Sequence, residues 1–242
     1  MALRGGGQKR QKRISASKAR SLHRKEFTWT IKSKPGPHND SESVPLGFIL
    51  RDLLKLASTL GEGKKILQSA KVSVDGKTRK DYQFPVGLFD VVSIKADENK
   101  TQNYRALLDN KGRIYLKEIS TKHTSKVVKI VAKKAAKKGL MQLTTNDGRT
   151  LMEKQSKHKI GDSLQIELPE QKIMKSLEFK QGNIAFIVGG KNVGAMAKIK
   201  EIIPSTMNRE KTITLESKGK QFKTTHNNVF VVGEKEPLME IE

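Results

Sequence analysis

The sequence predicts an α+β chain of several small domains, in which a basic arm and a two-helix unit precede a long run of short strands. Three observations predict this. Apolar residues recur at helical spacing between Leu46 and Ala70. From residue 97 onward, short alternating runs are separated by turn signals every 8–12 residues, the pattern of small barrels or sandwiches. The first forty residues hold eleven Lys or Arg, only two acids (Glu26 and Asp40) and few apolar side chains. A length of 242 residues admits more than one folded unit. The expected domains are a basic arm over 1–42, a helix–helix–hairpin module over 43–96, a central β domain over 97–172, and a small β-barrel with an acidic end over 173–242.

The arm, with Gly5, Gly6 and Gly7 near its start, buries too little apolar surface to offset its ordering entropy. It reads either as a solvated tail or as a segment that folds onto a polyanion, anchored by the alternating Phe27, Trp29 and Ile31; its charge favours the second reading. Pro35-Gly36-Pro37 stops regular structure there. Leu46, Ile49, Leu50, Leu53, Leu54 and Ala57 then predict a helix capped by Ser43, with Pro45 tolerated in its first turn. Gly61 is expected to break that helix, and a second runs from Glu62 to Ala70 with Ile66, Leu67 and Ala70 inward and Lys64, Gln68 and Lys71 outward. Val72-Ser73-Val74 followed by Asp75-Gly76 predicts a two-residue hairpin, because Gly accepts the positive φ that such turns require. Its returning strand holds Lys77, Arg79 and Lys80, and a third strand covers Asp90–Ile94.

Further strands are expected at Tyr104–Leu108, Arg113–Ile119, Val127–Val131, Leu140–Thr144, Thr150–Met152 and Leu164–Leu168. Lys133–Lys138 reads as an exposed basic loop. In the last segment Ile184, Phe186 and Val188 alternate, Gly189-Gly190-Lys191-Asn192 turns, Ala195–Ile203 leads back, and strands follow at Thr212–Leu215 and Val229–Val232.

A formal charge of +23 repels itself in a compact monomer and calls for a polyanionic partner. No stretch approaches the roughly 20 apolar residues of a membrane span, and the N-terminus lacks a signal-peptide run, so nucleic acid is favoured over a membrane. The chain has no cysteine, which rules out disulfides and thiolate zinc sites and fits a cytoplasmic setting. With one Trp and three Tyr, a large base-stacking surface is not expected; phosphate contacts and shape should dominate.

Two constellations carry chemistry. In the first, Lys64, Lys65, Lys71, Lys77, Arg79 and Lys80 place cations on one helix face and an adjacent hairpin, suited to phosphates; the plainer alternative is a solvated charged face. The order of Leu53 and Leu54, Gly61, Lys64-Lys65-Ile66-Leu67, Val72-Ser73-Val74-Asp75-Gly76-Lys77, Pro85-Val86-Gly87 and Asp90-Val91-Val92 resembles the small RNA-binding module named after bacterial ribosomal protein S-four. In the second, Gly189-Gly190-Lys191 is not a phosphate loop, because Ala185 stands where Gly is needed and Asn192 where Ser or Thr is needed. The strand at 184–188, Lys191 in the turn and Gly194 after it resemble a KOW motif, which implies a small SH3-like barrel whose turn approaches RNA.

With Pro35-Gly36-Pro37-His38, Ser43-Val44-Pro45-Leu46 and the Leu-Arg-Asp-Leu-Leu stretch at 50–54 in the same order, the chain resembles the S-four-e family of small-subunit ribosomal proteins of archaea and eukaryotes along its length. The short acidic end points to the archaeal branch. The resemblance implies a structural protein bound to small-subunit ribosomal RNA and to neighbouring ribosomal proteins, with no catalysis, cofactor, metal or small-molecule substrate. Ala16-Ser17, twelve residues before Trp29, departs from the Ala-Pro common in that family, so the resemblance carries no residue-level role into the arm. Candidate RNA contacts are Lys9, Arg10, Lys12, Arg13, Trp29, His38, Arg51 and Lys55, the six cations of the module, and Lys191 with Asn192.

The same module accompanies pseudouridine synthases and tyrosyl-tRNA synthetases, so an enzyme is one alternative. A Gly-Arg-x-Asp setting fails at Leu151, and the strands after residue 97 do not alternate with helices as a synthetase's nucleotide-binding domain requires. The histidines at 23, 38, 123, 158 and 226 lack metal-ligand spacing. The remaining alternative is a free-standing RNA chaperone or a translation- or transcription-associated factor.

Overall fold

A computed structural model describes residues 10–239 apart from 98–99, 121–124, 155–156, 208–209, 218 and 235. The chain separates into two units, residues 1–107 with 113–121, and residues 108–112 with 122–242.

In the first unit β1 (Arg10–Lys12) pairs antiparallel with β2 (Trp29–Ile31), in the register Arg10↔Ile31 and Lys12↔Trp29. The reading of a tail too polar to order itself fails for residues 10–42. Two of its cations, Arg13 and Arg20, turn inward and act as hydrogen-bond donors, which replaces part of the missing apolar area. Buried Arg20 donates to the Ile31 carbonyl and to Ser33 Oγ, each at 2.9 Å, and pairs with Asp40. Burial lowers the Arg20 pKa from its usual value, against the pull of Asp40 in the other direction.

The helix expected from Ser43 to Ala57 is shorter. Val44–Pro45 forms β3, α1 covers Leu46–Phe48, and a wider π turn continues through Ile49–Leu53. Ser43 is extended (φ −136°, ψ 162°) and caps nothing. The free N–H groups at the start of α1 are satisfied instead by backbone: Leu46 donates to the Phe84 carbonyl (2.9 Å) and Gly47 to that of Tyr82 (2.7 Å). The helical stretch stops at Leu54, and Lys55 has φ 54°. Gly61 is no breaker; it lies in the first turn of α2 (Leu60–Gln68). The start is set by Thr59 and Glu62, which form a capping box: Glu62 N–H donates to Thr59 Oγ1 at 3.2 Å and the Glu62 carboxylate accepts from Thr59 N–H. Gly63 and Leu67 are the buried residues of this helix, while Ile66 is half-buried and Ala70 exposed.

β4 (Val72–Val74) and β5 (Lys77–Thr78) flank Asp75 and Gly76 at φ 50° and 76°, the two positive values of the expected hairpin. After β6 (Pro85–Val86), which pairs with β3, come β7 (Val91–Asp97), β8 (Lys100–Leu108) and β9 (Ile114–Ile119). They complete a sheet of order β5-β4-β7-β8-β9. Because β7 and β8 are paired from Val91↔Arg105 to Asp97↔Lys100, the expected boundary between 96 and 97 falls inside a hairpin.

The second unit holds two five-stranded sheets. The first, of order β12-β11-β10-β13-β14, comprises β10 (Ser125–Ala135), β11 (Met141–Thr145), β12 (Thr150–Glu153), β13 (Ser163–Glu167) and β14 (Ile173–Leu177). Its core is Val128, Ile130, Leu143, Leu151, Leu164 and Ile166. The expected basic loop is half strand, since Lys133, Lys134 and Ala135 pair with Leu143, Gln142 and Met141. β14 pairs with β13, so the expected boundary at 172/173 also lies within a hairpin.

The other sheet has the order β18-β17-β16-β15-β19, from β15 (Ile184–Ile187), β16 (Met196–Ile203), β17 (Thr212–Ser217), β18 (Lys220–Thr225) and β19 (Val229–Gly233). Ala185 and Ile187, not the alternate set of Ile184, Phe186 and Val188, face its core of Leu177, Ala197, Ile199, Ile213, Leu215, Val229 and Val231. β18 went unforeseen because its Lys-Gln-Phe-Lys-Thr-Thr stretch carries a single apolar residue. Among the described residues no helix is long and apolar enough to cross a membrane.

Candidate nucleic-acid interface

The module cations divide by what holds them. Lys64 and Lys65 stand exposed on α2, Lys71 just after it, and Lys77 on β5 with Lys80 beyond it. Lys64 Nζ sits 4.5 Å from the centre of the Tyr82 ring, and the half-buried Arg79 guanidinium lies 4.3 Å over Phe84. Both cations are therefore positioned by one short segment, residues 82–84, whose backbone also anchors α1. A ring face orients an ammonium or guanidinium without cancelling its charge, so these side chains are pre-aligned and still attractive to an anion. The tyrosine and phenylalanine that do this carried no signal in the sequence beyond being aromatic.

Arg10 and Lys12 are exposed on β1, and Trp29 is exposed opposite Lys12. Lys55 is exposed as well, whereas Arg51 is engaged with Asp52 through Nε (3.1 Å) and Nη2 (2.7 Å). Two expected contacts are corrected. Arg13 is buried: it donates to the His23 carbonyl (2.8 Å), pairs with Glu26 (3.2 Å) and packs under Phe27. His38 is withdrawn too, its Nε2 2.9 Å from a carboxylate oxygen of Asp90, the same oxygen to which Gly87 N–H donates. A Cβ on Gly87 would lie 2.4 Å from the His38 ring, so Pro85-Val86-Gly87 marks a close approach to that ring. Both side chains hold the first unit together rather than face a ligand. Lys9 lies outside the described residues.

In the second unit Lys191 is exposed and Asn192 half-buried, in the turn between β15 and β16. Gly190 and Gly194 take φ 97° and 81°, and a Cβ on Gly194 would strike the Leu108 carbonyl oxygen at 2.9 Å. The Gly-Gly-Lys text is thus turn chemistry.

Sequence reasoning missed a group around Lys129. Its ammonium donates to the carbonyls of His226 (3.0 Å) and Val229 (2.8 Å), fixing the turn that leads into β19. Burial, with Lys211 nearby, lowers its pKa to about 8. His226, its ring tilted at 60° to that of Phe179 with centroids 4.8 Å apart, is lowered to about 4 by burial and by Lys129 and Lys211. Nearby, Lys126 and Asp147 form a buried pair at 3.0 Å, and Arg149 adds a second bond to Asp147 at 2.8 Å. Burial opposes ionisation of Asp147, but Lys126, Thr145 and Arg149 outweigh it and lower its pKa. Among the described residues no cluster of three His, Asp or Glu is placed to hold a metal.

Comparison with known proteins adds to this geometry. Residues 100–173 match the Ribosomal family S4e, and residues 5–41 match the RS4NT domain. The chain is 42% identical to the small ribosomal subunit protein eS4 of Methanococcus vannielii, over 99% of both chains. It is 42% identical to that of Methanosphaera stadtmanae, over 98% of this chain and 97% of the relative. The crystal structure of the 30S ribosomal protein S4e from Thermoplasma acidophilum superposes with a TM-score of 0.68 at 30% identity, covering 80% of this chain and 96% of that one.

Proposed function

This chain belongs to the S4e family of ribosomal proteins, and from that membership we propose how a structural protein of the small ribosomal subunit, cytoplasmic and ribosome-associated, uses its surfaces. The archaeal relatives agree with the archaeal origin expected from the short acidic end. The α2 and β4–β5 surface serves as an S-four-type RNA-binding module. The sheet β15–β19 serves as a KOW-type barrel that presents Lys191. The partners are small-subunit ribosomal RNA and neighbouring ribosomal proteins.

One observation carries the reading: Lys64 and Arg79 are steadied over Tyr82 and Phe84 while Lys65, Lys71, Lys77 and Lys80 face solvent around them. Fixed cations at this density match phosphates without reading bases. Each phosphate neutralised releases counterions, so affinity falls with salt. With about six to eight such contacts, log K against log[salt] should have a slope near −4 to −7. Replacing Lys64, Lys65 and Lys77 together by Ala should flatten it by about two to three units with the fold intact. An unchanged slope removes this face from the interface. A free-standing RNA factor would leave the small subunit during a high-salt wash on a sucrose gradient, whereas a built-in component stays.

A further inference from the structure

A cleft of about 740 Å³ in the first unit is not used by the phosphate contacts above, and its chemistry differs from theirs. Its lining includes Phe27, Trp29, Arg51, Asp52, Lys55 and Ser58. Phe27 is 62% exposed and Trp29 53%, so two large rings stand in water within one concavity. Scattered exposed apolar side chains need no explanation, but two rings in one cleft form a patch that a partner would cover. The size is that of a small-ligand site rather than of a protein interface.

The charge around the rings selects the partner. The acids that line the cleft are compensated, Glu26 by Arg13 at 3.2 Å and Asp52 by Arg51 at 2.7 Å. Lys55 in the lining, and Lys12 opposite Trp29 across the β1–β2 ladder, have no partner among the described residues. A flat ring beside uncompensated ammonium groups suits a flat, aromatic, anionic ligand. We infer that this cleft takes one or two unstacked nucleotides of ribosomal RNA, a base lying on Trp29 and the adjoining phosphate meeting Lys12 or Lys55. RNA that is splayed out of a helix offers its bases to aromatic faces in this way, and every base has such a face, so the contact tolerates any sequence. The inference rests on the ribosomal RNA reading and adds a base-contacting site to it.

Trp29 is the chain's single tryptophan, so its emission reports on this cleft in the full-length protein. The probe is a transcript of small-subunit ribosomal RNA. Binding should quench Trp29 and shield it from acrylamide. Trp29→Ala should weaken binding by about 5- to 150-fold, the range for one lost base stack, and leave the salt slope as it was because no phosphate contact is removed. Trp29→Phe should retain most of the affinity. Salt-dependent binding with unaltered emission and an unaffected Trp29→Ala variant overturns the inference while leaving the phosphate surface standing. Shielding that occurs only in the assembled small subunit, not with bare transcript, assigns the cleft to a protein neighbour and overturns it as well. Absence of any binding by the wild-type chain overturns this inference together with the RNA reading itself.

Discussion

Residues 10–42 bury few apolar side chains, chiefly Ala16, Ala19 and Ile31, and keep two arginines, Arg13 and Arg20, inside. The sheet β15–β19 instead encloses nine buried apolar residues. The hairpin is held by directional bonds from guanidinium groups to carbonyls and carboxylates, the sheet by area removed from water. Apolar burial is non-directional and spreads over many residues. A guanidinium tie concentrates the same task in one side chain, whose loss strands several acceptors at once. A basic segment can thus be ordered without a large core, provided some of its cations are spent inward. Arg10 and Lys12 of the same segment stay exposed.

Three perturbations sharpen or break this contrast. The largest effect is expected from Leu215→Ala at a fully buried position of the last sheet: about 2–5 kcal/mol lost in urea unfolding, the transfer and cavity costs of a core leucine. Protease resistance of residues 10–33 should be unmoved, and a loss below about 1 kcal/mol would show that this core is not what holds the sheet. Next is Arg20→Ala, which abandons the Ile31 carbonyl, Ser33 and Asp40. It should cost about 2 kcal/mol locally, read as roughly 30-fold faster hydrogen exchange in β1 and β2 with β15–β19 unchanged. Arg20→Lys should not restore protection, because one ammonium cannot reproduce the fork; full rescue by lysine would reduce the tie to simple charge.

The smallest effect is pH dependence in the second unit. His226 has a folded pKa of about 4 against an ordinary 6.5, so between those values the unfolded chain binds the extra proton. Stability is therefore full above 6.5 and is lost as pH falls toward 4, by about 1 kcal/mol once partial exposure is discounted. Lys129 acts in a second window: its folded pKa of about 8 lies below the ordinary 10.5, so stability should rise between pH 8 and 10.5. His226→Gln should remove the acid-side loss relative to wild type, and identical profiles for the two proteins would exclude His226 as its source.

Local chemistry made part of the fold legible. Asp75-Gly76 announced a hairpin because its turn needs positive φ at both positions, and both have it. Thr59 and Glu62 hold an equally local signal, a capping box, which outweighs the low helix propensity of Gly61 in the first turn. Ser43 misled because the strand pairing of Val44 and Pro45 with Val86 and Pro85 took precedence over helix initiation. At the site, Lys64, Lys65, Lys71, Lys77 and Lys80 face solvent as helix and hairpin periodicity suggested, while Arg13 and His38 do not.

The sequence by itself determined the sign of the charge and local turns such as Asp75-Gly76, since a turn depends on residues within a few positions of one another. Which cations face water, and which strands share a sheet, was decided only by the tertiary structure. The partners that settle those questions come from far along the chain: His38 finds Asp90 52 residues on, and Lys129 finds the Val229 carbonyl 100 residues on. No local pattern of charge or hydropathy encodes such a meeting, because burial of a cation is tolerable only where distant acceptors converge to receive its hydrogen bonds.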